Sequence, residues 1–124
     1  MYRAKVRIMQ RFPILFLAGF LIFIAGCSDD CNLENPTVRL VNFGTAKADI
    51  QIKTSGGNTE NINNIQPGNS SPARSFAPGE IDFTITIQSE EVPVAYHLNV
   101  FFCMDYTVSI NPDNSVSATG EKKD

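Results

Sequence analysis

Ile81-Asp82-Phe83-Thr84-Ile85-Thr86-Ile87-Gln88 sets four large apolar residues in strict alternation with four polar ones. Successive side chains of an extended strand point to opposite faces, so this stretch reads as a strand with one face in a core and the other in water. Pro78-Gly79 punctuates its start, and a similar Pro67-Gly68 turn lies ahead of it.

Working outward, the same texture continues. Runs rich in Val, Ile, Phe and Thr cover 37–43, 48–53, 94–102, 106–111 and 115–119, with a weaker run over 61–66, each broken by Gly, Pro or Asn. Pro112-Asp113-Asn114 joins the last two as a hairpin turn. No stretch after residue 36 carries a helical period of useful length. About seven short strands at this spacing predict an all-β domain, a small antiparallel β-sandwich or open barrel.

The first 36 residues are of another kind. Arg3, Lys5, Arg7 and Arg11 make the start basic, 12–24 is almost wholly apolar, and Ala25-Gly26 supplies small residues, the order of a secretory signal. An uncleaved transmembrane helix is the rival reading. A helix over 12–25 would rise only about 21 Å, short of the ~30 Å hydrocarbon core.

Ile24-Ala25-Gly26-Cys27 resembles the bacterial lipobox, with Ile in place of the commonest Leu. The resemblance implies that the Cys27 thiol receives a diacylglyceryl group, that a dedicated peptidase cuts before it, and that its new amine is open to acylation. Two or three acyl chains hold a protein at a membrane where one does not, since each buried methylene contributes about 0.8 kcal/mol. The alternative is a plain cysteine after an ordinary signal. Ser28-Asp29-Asp30 resembles the acidic export tag of surface lipoproteins in Bacteroidota, and Ser28 does not resemble an inner-membrane retention signal. An acidic start also suits any solvated tether. Together these resemblances imply an outer-membrane lipoprotein of the cell envelope, with a signal peptide over 1–26, a lipidated tether over 27–36, the β-domain over 37–119 and a polar tail over 120–124.

All thirteen acids lie after Cys27, where only six Lys and Arg remain, so the chain from Cys27 onward has a formal charge of −7. Nucleic acid is therefore excluded as a partner, since binding it depends on Lys and Arg displacing counterions. Nine Phe, three Tyr and no Trp suit core filling better than exposed stacking platforms. With Cys27 set aside, Cys31 and Cys103 form a pair in an oxidising compartment. A bridge between them would close a loop of about 70 residues and contribute roughly 4 kcal/mol to a domain too small for a large core. The alternative is a buried free thiol at Cys103, beside Phe101 and Phe102.

Blocks at 37–42, 48–52, 77–85 and 105–108 are similar in order to the immunoglobulin-like or transthyretin-like β-domains of bacterial cell-envelope lipoproteins. Such blocks encode strands and turns, and imply a fold and not an activity.

The residues carry no catalytic constellation. His97 is the single histidine, on a predicted strand between Tyr96 and Leu98, without a Gly-x-Ser-x-Gly elbow. A strand histidine facing water or a cross-strand partner is the simpler reading. Cys31, His97 and Cys103 lack the close spacing of zinc ligands, and Asp29-Asp30, Glu90-Glu91 and Asp113 form no calcium loop or glycosidase pair. Neither a metal nor a cofactor is expected. The Asn-, Ser- and Gly-rich segment 54–75 reads as a mobile connection or an adaptable ligand loop. The expectation is a non-catalytic structural or partner-binding domain held to a membrane by lipid on Cys27. The alternative is a glycan-binding module using the Asn-rich loops and Tyr96.

Overall fold

The computed structural model describes residues 31–124. The predicted signal, the Ile24-Ala25-Gly26-Cys27 motif and the Ser28-Asp29-Asp30 stretch lie outside these described residues. Within them eight strands follow one another: β1 (Thr37–Asn42), β2 (Ala48–Lys53), β3 (Thr59–Ile65), β4 (Arg74–Ser75), β5 (Gly79–Ile87), β6 (Val94–Val100), β7 (Met104–Ile110) and β8 (Val116–Lys122). They form two four-stranded sheets, ordered β4-β1-β7-β8 and β3-β2-β5-β6. The fold is the all-β sandwich that the alternation predicts.

Three hairpins, β2–β3, β5–β6 and β7–β8, each stay within one sheet, and the chain changes sheet after β1, β3, β4 and β6. One pair departs from the antiparallel pattern. β1 and β7 run parallel, from Thr37 beside Asp105 to Asn42 beside Ile110. Period-two alternation is the same for either direction, so the sequence carries no sign of this pairing.

The core lies between the sheets. Val38 and Leu40 of β1 and Tyr106, Val108 and Ile110 of β7 meet Ile50 and Ile52 of β2, Ile81, Phe83, Ile85 and Ile87 of β5, and Val100 of β6 in one buried cluster. All four apolar residues of the opening octapeptide are buried, and its polar partners face water. Each such side chain stabilises the fold by about 1.5–3 kcal/mol.

Two irregularities explain why the segment 54–75 reads poorly as strand. In β3 the inward residues Ile62 and Ile65 are three apart. A β-bulge accommodates this, since Ala48 pairs Ile65 while Ile50 pairs Ile62, leaving one extra residue on β3. Asn64 takes up the extra length with φ at 65°, and its N–H donates to Asp49 Oδ1 at 2.7 Å. Further on, the chain from Asn69 to Ser75 accompanies β1 along its outer edge. Asn69 O accepts the Asn42 N–H, the Ser71 N–H donates to Leu40 O while the Leu40 N–H donates to Ser71 Oγ, and β4 pairs Thr37 and Val38. Pro72 has no N–H to give, and the regular pairing contracts to two residues.

The domain is longer at both ends than the predicted 37–119. β8 continues to Lys122, so much of the predicted tail is strand paired with β7 from Met104 to Tyr106. At the other end the compact unit begins at Cys31, which places 31–36 with the fold and not with a free tether.

Candidate functional site

The strand directions sort the loops into two ends. The starts of β1, β5 and β7 and the end of β8 share one end with residues 31–36. Here Cys31 and Cys103 are bonded, with Cα atoms 5.9 Å apart and a sequence separation of 72. Four further bonds tighten this end, three of them on residues 31–36. The Cys103 N–H donates to Glu34 O at 2.9 Å, the Phe76 N–H donates to Pro36 O at 3.0 Å, the Lys123 N–H donates to Cys103 O at 2.8 Å, and Lys123 Nζ donates to Asn35 O at 3.0 Å. Lys123 Nζ also stands 3.5 Å from Asp105 and 3.8 Å from Glu34. The predicted disulfide is formed, and the lysine that completes the clamp comes from the predicted tail. Sequence reading misses Lys123 because only the β7–β8 register carries it to the N-terminal segment.

The corner between β6 and β7 is fixed as firmly. The Phe101 N–H donates to the Tyr106 hydroxyl at 3.1 Å, and the Tyr106 ring lies over Gly120, where a Cβ would stand 2.9 Å from it. Cys103, between them, has a φ of 65°, uncommon outside glycine and asparagine.

His97 faces water on the outer side of β6, directly across from Asp82 of β5, and its Nδ1 pairs with the Asp82 carboxylate. That is the cross-strand partnership the sequence favours. Its Nε2 has no hydrogen-bond partner among the described residues, so no hydroxyl or thiol is placed to complete a nucleophilic relay. Tyr96, one position earlier, turns inward against Phe83, ring centroids 6.5 Å apart, and is occupied with the core. Among the described residues no group of three or more His, Cys, Asp or Glu is arranged to hold a metal ion. Nor is any helix among them long and apolar enough to cross a membrane.

The outer face of the β4-β1-β7-β8 sheet carries an open concavity of about 490 Å³, lined by Thr37, Arg39, Asp105, Thr107, Thr119 and Glu121 among others. Register aligns these residues in two rows, Thr37-Asp105-Glu121 and Arg39-Thr107-Thr119. Thr37 Oγ1 donates to Asp105 Oδ1 at 2.5 Å.

At the opposite end, Asn114 holds three loops together. Its side chain accepts from the Thr45 N–H at 3.3 Å and donates to Thr45 Oγ1 at 3.3 Å and to Glu90 Oε1 at 3.0 Å. Beside it the Asp113 carboxylate accepts from Ser115 Oγ at 2.6 Å and from the Ser115 N–H at 3.0 Å. These bonds favour the charged form and hold the carboxyl below its ordinary value, the hydroxyl contributing most.

No family model matches the chain, and no curated protein matches it. Among solved structures it is similar to a protein from Eubacterium rectale, at 18% identity and a TM-score of 0.50, covering 78% of this chain and 98% of that one. It is also similar to the C-terminal domain of AlgF from P. aeruginosa, at 15% identity and a TM-score of 0.47, covering 73% of this chain and 99% of that one. At these identities the first likeness is one of fold, and it concerns the β-domain of this chain.

Proposed function

We propose that this chain is an outer-membrane lipoprotein of the cell envelope whose β-sandwich is a non-catalytic structural or partner-binding module, held to the membrane by acyl chains on Cys27. One observation carries the reading. A basic start, an apolar run, a small pair and a cysteine coincide at Ile24-Ala25-Gly26-Cys27, four residues ahead of the bridge that begins the fold at Cys31. The clamp on 31–36 supports it, because a domain tethered at its N-terminus carries any pull on the anchor through that segment. The disulfide agrees with an oxidising compartment.

Metabolic labelling with an alkyne fatty acid tests the anchor. Wild-type protein takes up label and has the mass of a chain beginning at Cys27 plus lipid, and Cys27→Ser abolishes both. Protease shaving of intact cells then reads the side of the membrane on which the domain stands. A mature product that keeps residues 1–26 with an unmodified Cys27 overturns the reading.

A further inference from the structure

The end of the sandwich that carries Cys31 also carries three of the five large hydrophobic residues most exposed among the described residues: Leu33 at 72%, Phe101 at 59% and Phe102 at 43%. Leu33 and Phe102 immediately precede the bonded residues Glu34 and Cys103, so the two apolar segments lie side by side across the clamp. They are not loose loop tips. The disulfide, the Cys103–Glu34 and Lys123–Cys103 backbone bonds and the Phe101–Tyr106 bond all hold the backbone that presents them. Leu33 itself has a φ of 52°, a conformation that a leucine adopts rarely. A rigid corner that turns two phenylalanines and a leucine into solvent leaves apolar surface waiting for a cover.

We propose that this rim is a second membrane contact: Leu33, Phe101 and Phe102 seat the tethered end of the domain in the headgroup region of the bilayer that holds the Cys27 lipid. The inference rests on the lipid anchor proposed above. Chain length selects lipid over a protein occupant. Cys31 follows Cys27 by four positions, and an extended chain spans at most about 3.6 Å per residue, so Cys31 stands within about 14 Å of the lipidated residue. The headgroup layer is itself several ångströms deep. The rim lies next to Cys31 and therefore at the bilayer surface, with little space for another protein beneath it. Glu34, Asp105 and Lys123 around it are of mixed sign and mutually paired, so the contact is apolar in origin and insensitive to salt and to lipid charge.

The chain has no Trp, and a single introduced Trp is a clean reporter. Lipidated full-length mature protein is reconstituted into phosphatidylcholine vesicles, its acylation confirmed by mass. Phe101→Trp and Leu33→Trp are compared with Val92→Trp at the opposite end of the sandwich. The expected result is blue-shifted emission at 101 and 33, most of it lost on substituting brominated lipid and unchanged by salt, with unshifted and unquenched emission at 92. In Leu33→Trp, adding Phe101→Ser and Phe102→Ser weakens the quenching. Unquenched emission at 101 and 33 in protein proven to be lipidated overturns the rim and leaves the anchor standing. So does a blue shift that follows protein concentration in place of lipid. A mature chain without lipid removes the anchor and this inference with it.

Discussion

The Tyr106 hydroxyl reaches back five residues to accept the Phe101 N–H at 3.1 Å, tying the start of β7 to the end of β6 across the sheet-to-sheet corner. An otherwise buried ring thus finds a partner for its one polar atom. Tyr106→Phe removes that bond and lowers stability by about 1 kcal/mol, as read from urea unfolding followed by circular dichroism. Gly120→Val drives a side chain into the same ring and costs about 1–3 kcal/mol. Unchanged midpoints in both variants would mean that the corner is held without the tyrosine.

The Cys31–Cys103 bridge closes a 72-residue loop, and the chain-entropy relation assigns it about 4 kcal/mol. Replacing both cysteines by serine lowers the unfolding free energy by about that amount, and thiol titration of the unreduced protein finds neither residue reactive. If the double variant loses under about 1 kcal/mol, hydrogen bonds to Glu34, Asn35 and Pro36 carry the clamp instead.

Asn42 is a fully buried polar residue in the core, and all its groups are used. Its amide donates to Ala46 O and to Ile65 O, each at 2.9 Å, while its carbonyl accepts the Gly44 N–H at 2.9 Å. The Ile65 bond crosses from one sheet to the other. Asn42→Leu leaves three backbone groups without partners and destabilises by about 3 kcal/mol in denaturant titration. A loss under about 1 kcal/mol would show that water replaces the amide.

Asp113 titrates below its ordinary value of 3.8 because Ser115 stabilises its charged form. The folded-state value is depressed, so the contribution to stability is full above the unfolded-state value and lost as pH falls through the folded one. Carboxyl NMR titration of Ser115→Ala finds Asp113 shifted upward part of the way, the Ser115 N–H bond remaining. An unshifted Asp113 in the wild type refutes the assignment.

Strand positions were legible wherever one face is buried and the other wet. Ile81–Gln88 is the clear example, because burial of alternate residues is itself the signal. Legibility failed where tertiary pairing breaks the period. Ile62-Asn63-Asn64-Ile65 spaces its apolar residues by three, and only the β2 partner makes that a bulge; Arg74–Ser75 is too short to carry any pattern. The cysteine pair was legible by elimination. Lys123, Asn42 and the Tyr106 bond were not, since each acts on residues remote in sequence or on backbone atoms that every residue possesses.

The amino-acid order by itself determined an all-β domain over the described residues, because alternating hydrophobicity has one inexpensive solution in water, and the proposed anchor at Cys27 rests on a local resemblance alone. Tertiary structure alone decided that β1 and β7 run parallel, that both ends of the described chain are clamped together, and that Leu33, Phe101 and Phe102 share one end of the sandwich. The physical reason is that side-chain period and local motifs are short-range properties, whereas strand direction and the pairing of distant loops follow from how two sheets close over a common core.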